Sequence, residues 1–161
     1  MEIKRTMKME IEKSQIKKGD RLLISGEEWK VLAQAGNKAL LWKCTNVFTS
    51  MFDKAGETDY LKSNIRRFLR GTYPNMVPKA LREAITEDGF FFLTKGEIEV
   101  YMPNEANRIA VDEYGQTTWY WTASSYSRDP DYVHYVCSDG QILYCQPDNH
   151  VGVAPACWVR F

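Results

Sequence analysis

The chain has 161 residues, and its 21 basic and 21 acidic side chains cancel to a formal net charge of zero. A composition that is 44% apolar and 13% aromatic belongs to a globular protein, and the length suits one domain with at most a short arm. Neutrality argues against bulk attraction to nucleic acid or to an anionic membrane surface, and no stretch nears the roughly 18 apolar residues of a membrane span.

Residues 1–15 read as a charged arm that either frays or adds an edge strand or short helix. Met1 to Asp20 lacks the apolar central run of a signal peptide, so the expected site of synthesis and folding is the cytoplasm. Signal-independent assembly into a virion or onto a cell surface stays open.

The folded domain is expected over 16–161. Arg21–Ser25, Gly26-Glu-Glu and Trp29–Ala33 read as a hairpin, and Gly36-Asn37 makes a second tight turn into Lys38–Cys44. Leu22, Ile24, Trp29, Val31, Leu40 and Trp42 are the expected core of this meander. Residues 46–58, rich in Asp, Gly and Thr, read as a loop. A helix is expected over Asp59–Arg70, with Leu61, Ile65, Phe68 and Leu69 as its apolar stripe, Thr58 or Asp59 as its cap and Gly71 at its end. Arg66, Arg67 and Arg70 read as a solvated face of it. Pro78–Ile85 reads as a second helix with proline in its first turn, and Gly89–Thr94 as a buried strand. Lys95–Met102 fits either period, and Pro103 ends it. Residues 104–118 read as a loop. Strands are then expected over Trp119–Ser125, Tyr132–Cys137, Gln141–Cys145 and 151–161. Asp139-Gly140 is the strongest hairpin signal, and Pro155 implies an edge or a bulge.

Residues 119–161 hold five of the nine tyrosines, three of the five tryptophans, three of the four cysteines and both histidines. Tyrosine interleaved with Ser, Asp and Asn is the composition of a recognition surface, in which aromatics give contact area and short polar groups adapt their hydrogen bonds. Cys44, Cys137, Cys145 and Cys157 contain no C-x-x-C pair, which speaks against structural zinc. They read as buried small hydrophobes, with a Cys137–Cys145 disulfide across the hairpin as the alternative.

The ordered motifs G-D, W-x-V-L, N-I-R-x-F-L, F-x-L-T, W-x-W-T-A-S-S, V-x-S-D-G and G-V-x-P-A-x-W-V carry a resemblance. They stand at Gly19-Asp20, Trp29–Leu32, Asn64–Leu69, Phe91–Thr94, Trp119–Ser125, Val136–Gly140 and Gly152–Val159. Over about 16–161 the chain is similar to an uncharacterised domain family of bacteria and their phages whose members end in G-V-R-P-A-x-W-L. Ala154 departs from that pattern, where the family has arginine. One role open to that arginine is a buried hydrogen bond to the hairpin. More distantly the chain resembles the C-type-lectin-like fold in its formylglycine-generating-enzyme variant, which also carries the variable proteins of diversity-generating retroelements. The resemblance implies an α+β fold of short antiparallel sheets with two short helices, and a C-terminal segment that displays binding residues. The spacing of Cys137 and Cys145 does not reproduce the reactive pair of the enzyme branch, so its oxidase activity is not implied.

The candidate ligand-binding residues are Tyr126, Arg128, Asp129, Asp131, Tyr132, His134, Tyr144, Gln146, Asp148, Asn149 and His150. The bland alternative is a polar sheet face with ordinary loops. Asp129, Asp131, Asp139 and Asp148 do not supply the compact six to eight oxygens that calcium needs, so no metal or other cofactor is expected. His134 and His150 have no G-x-S-x-G or H-E-x-x-H context, and Glu83, Glu87 and Asp88 read as surface charge. Trp119, Trp121 and Trp158 are expected in the core, with a sugar-stacking platform as the sharper alternative. The sequence thus points to a non-enzymatic domain that recognises a protein or glycan, associated with a phage or mobile element and open to diversification, and able to form homo-oligomers. The runner-up is a structural or assembly subunit, and an enzyme comes third.

Overall fold

The structure, a computed structural model, describes residues 4–6 and 16–160. In chain order the described elements are β1 (Lys4–Thr6), β2 (Arg21–Ile24), β3 (Glu27–Ala35), β4 (Lys38–Trp42), β5 (Phe48–Ser50), α1 (Asn64–Gly71), α2 (Lys79–Ala84), α3 (Lys95–Tyr101), β6 (Ala110–Val111), β7 (Thr117–Thr118), β8 (Tyr120–Ser125), β9 (Val133–Val136), β10 (Ile142–Cys145), β11 (Val151–Val153) and β12 (Ala156–Arg160). They make a mixed α+β architecture. One five-stranded sheet runs β1-β2-β3-β4-β12, another runs β10-β9-β8-β11-β5, and β6 and β7 pair alone. Most neighbours are antiparallel; β1 with β2 and β8 with β11 are parallel.

The meander forms as the turn chemistry dictates. Ser25 and Gly26, at φ of 47° and 87°, take the positive-φ pair of a two-residue hairpin, and Gly36 starts the next turn at φ of 61°. All six expected core residues of the meander are fully buried. They divide between the two faces: Leu22, Ile24, Trp29 and Val31 enter one apolar cluster, Leu40 and Trp42 the other. A bulge at Leu32 shifts the register between Val31 and Ala33, so that Ala33 as well as Leu32 faces the second cluster. Both clusters draw on both sheets, Trp121 and Val133 joining the first and Tyr120 and Val136 the second.

Several expectations change. The 46–58 segment is not all loop, because β5 pairs with β11 there. The first helix starts five residues late: Asp59 caps a 3-10 turn over Tyr60–Lys62, and Ser63 accepts the Arg66 N–H to start α1. That leaves Leu61 exposed, outside the stripe. Pro78 sits at the N-cap of α2, one position before its expected place. Lys95–Tyr101 is helical because Thr94 and Glu97 form a reciprocal capping box, which turns Ile98 and Met102 into the core and Val100 outward. Gly89–Thr94 is buried but is not a strand. It threads between the sheets, with Phe91 bridging Ala156 and the Leu93 carbonyl accepting the Ala123 N–H. Residues 104–118 contain a 3-10 turn at Glu105–Arg108 and the β6–β7 pair. Of the expected tryptophan core, Trp121 is buried and Trp158 is half-buried on the other sheet, but Trp119 is 47% exposed. Trp119 lies before β8, outside the strand alternation that was to bury it.

The last predicted strand is two. β11 lies between β8 and β5, then Ala154-Pro155 carries the chain across to the edge of the first sheet as β12. Trp42 Nε1 donates to the Ala154 carbonyl at 3.2 Å, and the Lys43 N–H to the Pro155 carbonyl at 3.0 Å. Gly152 permits the crossing, since its N–H donates to the Trp119 carbonyl and a Cβ there would stand 2.1 Å from that same oxygen. Gly152→Ala is expected to cost about 3 kcal/mol or more, since backbone must move to relieve the clash. Gly71→Ala, at a helical site with open space, is expected to be neutral or stabilising by up to about 1 kcal/mol. Urea unfolding of the two variants checks both.

Candidate functional site

The β9–β10 hairpin is built as its sequence predicts. Gly140 takes φ of 92°, the Asp139 carboxylate accepts the Gln141 N–H, and the Gly140 N–H donates to the Cys137 carbonyl. What anchors the hairpin lies elsewhere. Arg108 is buried, and its guanidinium reaches the Met102 carbonyl at 2.7 Å, the Gly140 carbonyl at 3.2 Å and the Pro103 carbonyl at 3.5 Å. The Tyr120 hydroxyl then donates to the Arg108 carbonyl at 2.6 Å. One arginine thus ties the hairpin turn to the end of α3 and to β8. A Cβ on Gly140 would meet the Glu105 carbonyl at 2.1 Å, so the turn also sits hard against this support.

β8 bulges opposite β9. Trp121 pairs with Tyr135 and Ser125 with Val133, so Thr122, Ala123 and Ser124 face His134 alone. The bulge is held: the Thr122 hydroxyl donates to the His134 carbonyl, and the Ser124 hydroxyl accepts the Lys95 N–H. Beyond it, the Tyr126 N–H donates to the Tyr132 carbonyl, and Asp129 closes the intervening loop by accepting the Asp131 N–H.

This scaffold brings four of the expected residues together. Tyr126 and Tyr144 stack with ring centres 4.0 Å apart and planes 6° from parallel. His134 stands edge-on to Tyr126 at 5.4 Å, and Tyr132 edge-on to Tyr144 at 5.6 Å. Such pairs contribute about 0.5–1.5 kcal/mol each beyond their buried area, so the cluster is held in shape before any ligand arrives. Tyr144 remains 47% exposed. Its phenol holds its proton more firmly than usual because Tyr126 lies beside it and hydrogen-bonds to it, while the Arg128 charge acts the other way. Burial lowers the pKa of His134. Its Nδ1 faces the Leu143 carbonyl at 3.1 Å, which can only accept, so Nδ1 carries the proton and Nε2 is the free acceptor.

Arg128 borders this cluster through its charge on Tyr144, Asp129 shapes the loop beside it, and the remaining expected residues line grooves or turn back on the backbone. Asp131, Gln146 and Asp148 line a separate open groove of about 290 Å³ with Lys54, Gly56 and Pro147. Asn149 turns back to the Gln146 carbonyl. His150 lines a different groove with Trp119, Thr49, Thr117 and Thr118. Trp119 there stacks on Tyr135 at 5.1 Å and keeps its indole half exposed. His150 is set apart from the tyrosine cluster because the chain after β10 runs toward β11, on the far side of β8 and β9.

Among the described residues, no three His, Cys, Asp or Glu side chains converge to hold a metal ion. Glu83 pairs with Lys79 and Glu87 with Arg160, as surface charge does. Arg70 donates to the Asp88 carbonyl. The four cysteines are free. Cys145 stands across from Val133 and Cys137 near Gln141, so the two lie at opposite ends of the hairpin and the alternative disulfide does not form. Burial raises all four thiols, Cys145 to about 11, which leaves none poised as a thiolate nucleophile.

A residue missed in the sequence orders the first groove. Asp53 is buried and accepts the N–H groups of Ala55, Glu57 and Asn64 at 2.8–3.0 Å. Burial opposes its charge, but these three donors outweigh burial and hold the carboxyl below its usual range. Asp53→Ala is expected to destabilise the fold by about 2–3 kcal/mol at neutral pH. Because the folded pKa is depressed, the stabilisation is complete above roughly pH 4, the unfolded value, and is lost as pH falls through the folded one. Chemical denaturation at neutral and acid pH should show the gap between wild type and variant shrinking on the acid side. No family model matches the chain, and neither a curated protein nor a solved structure matches it.

Proposed function

We propose that this protein is a non-enzymatic recognition domain whose binding surface is centred on Tyr126, Tyr132, His134 and Tyr144, with Arg128 at its border. The observation that carries the reading is the surface stack of Tyr126 on Tyr144, buttressed edge-on by Tyr132 and His134. Four aromatic rings locked together where Tyr144 still meets solvent give contact area whose ordering entropy is already lost before binding. The raised thiols, and a His134 ring that among the described residues hydrogen-bonds to a carbonyl and to no carboxylate or nucleophile, support a binding role over a catalytic one.

The ligand class is a protein or a glycan. The fold is taken as C-type-lectin-like, in line with the resemblance above; what supports it is a first sheet that gathers the first and last strands and a second sheet that carries the loops. On the same footing the domain is associated with a phage or mobile element, and residues 119–161 are the segment to examine for diversification. A reverse-transcriptase gene next to a near-copy of their codons would support that last step.

Protein and glycan arrays probed with the full chain supply a ligand. Replacing Tyr126, Tyr132 and Tyr144 together with alanine is then expected to reduce its binding at least a hundredfold, while circular dichroism stays native. Unchanged affinity in a folded triple variant would contradict the assignment.

A further inference from the structure

β10 is the outer strand of the second sheet, and no described strand pairs with its outer edge. Strand pairing fixes which of its backbone groups face outward. The Cys137 N–H donates to the Gln141 carbonyl, and the register runs Ile142 with Val136, Leu143 with Tyr135, and Tyr144 with His134. Hydrogen-bonded and non-bonded pairs alternate along an antiparallel ladder, so Leu143 bonds to β9 while Ile142 and Tyr144 turn their N–H and C=O groups away from it. The Thr122 hydroxyl bond to the His134 carbonyl agrees with this phase, since His134 must then face β8. No described residue takes the four outward groups of Ile142 and Tyr144.

The side chains do nothing to keep a second strand away. Gln141-Ile-Leu-Tyr-Cys-Gln146 contains no charge and no proline, the usual guards of an exposed edge, and Leu143 and Tyr144 are 41% and 47% exposed. The edge of the first sheet is treated differently. There β12 is covered by bridges from Ile85 and Phe91, and its Trp158 carbonyl accepts the Thr86 N–H.

We propose that β10 pairs with β10 of a second copy of this chain, antiparallel about a twofold axis at Leu143. That register follows from the phase alone. Ile142 meets Tyr144 of the second copy and Tyr144 meets its Ile142, each as a hydrogen-bonded pair, so four new bonds satisfy every outward group in both copies. Leu143 meets Leu143 across the axis, and Ile142–Tyr144 contacts flank it as β-branched–aromatic pairs. The absence of charge matters most here, because a twofold axis sets like residues against each other. The two sheets become one continuous ten-stranded sheet. Each Tyr144 then lies near the axis, so the two aromatic clusters sit side by side and a repeated ligand is met bivalently.

Sedimentation equilibrium of the full chain over a wide dilution series is expected to show a dimer, twice the 18.7 kDa of one chain. Leu143→Lys is expected to give a folded monomer, because it places two like charges at the axis. Leu143→Cys is expected to cross-link the dimer under mild oxidation, since a non-bonded pair sets its Cα atoms about 4.5 Å apart, within disulfide reach. A wild-type monomer at every concentration would overturn the proposal, whether or not the edge accepts a strand from another protein. A Leu143→Lys dimer as tight as wild type would overturn it too, as would a dimer that Leu143→Cys fails to cross-link. Leu143 lies outside the binding cluster, so the lysine variant should keep single-site ligand affinity; loss of the dimer and loss of the binding surface are thus read separately.

Discussion

The architecture depends on a backbone approach that only glycine allows. At Gly152 the strand β11 runs between β8 and β5, and the missing side chain lets the Trp119 carbonyl and the Val47 side chain close in. Two residues later the chain leaves this sheet and joins the other. Trp42 and Lys43 of the first sheet grip that crossing through the carbonyls of Ala154 and Pro155. One short segment therefore fixes the two sheets relative to each other, and both apolar clusters form in the frame it sets. Buried aromatic contacts such as Phe52 with Trp121 and Trp42 with Tyr120 then fill the space between sheets.

The surface cluster inherits its order from that frame. β8 is anchored by Gly152 on one side and feeds the bulge on the other. The bulge aims Tyr126 at Tyr144, while Arg108 holds the hairpin turn that positions Tyr144 and His134. A binding surface made of mobile tyrosines would lose affinity to ordering; here the ordering is part of folding. Among the described residues no carboxylate pairs with this arginine. Its charge is met by three carbonyls, an arrangement that fixes geometry through directed donors.

Much of the fold was legible where local chemistry decides. The Gly36-Asn37 and Asp139-Gly140 turns and the apolar alternation of β2 to β4 follow from turn propensity and period two, whereas the first hairpin turns at Ser25-Gly26, a residue before the expected Gly26-Glu-Glu turn. The sequence also marked the tyrosines and His134 as a group, because aromatic residues beyond the needs of a core stand out in composition. What it hid was set by tertiary partners. Arg108 sits among polar residues that read as loop, and nothing local shows that the Gly140 carbonyl will join those of Met102 and Pro103 around it. Asp53 looks like any loop aspartate until Asn64 arrives from eleven residues on. Residues 89–94 are extended and apolar, so they read as a strand, but the sheets on either side each offer them a single point of pairing. His150 stands apart from Tyr144 because proximity in sequence is not proximity across the sheet. Strand alternation places Trp119 in the core, but β8 begins one residue after it.

The central claim is that the aromatic cluster is preformed in the free protein. Proton NMR of the tyrosine rings tests it most directly, with Tyr126→Ala used for assignment. A stack at 4.0 Å places each ring in the shielding cone of the other. The Tyr126 and Tyr144 ring resonances are expected well upfield of exposed tyrosine, with those of Tyr144 returning downfield in the variant. Exposed-like shifts for both rings in the folded wild type, unmoved by the substitution, would contradict the account.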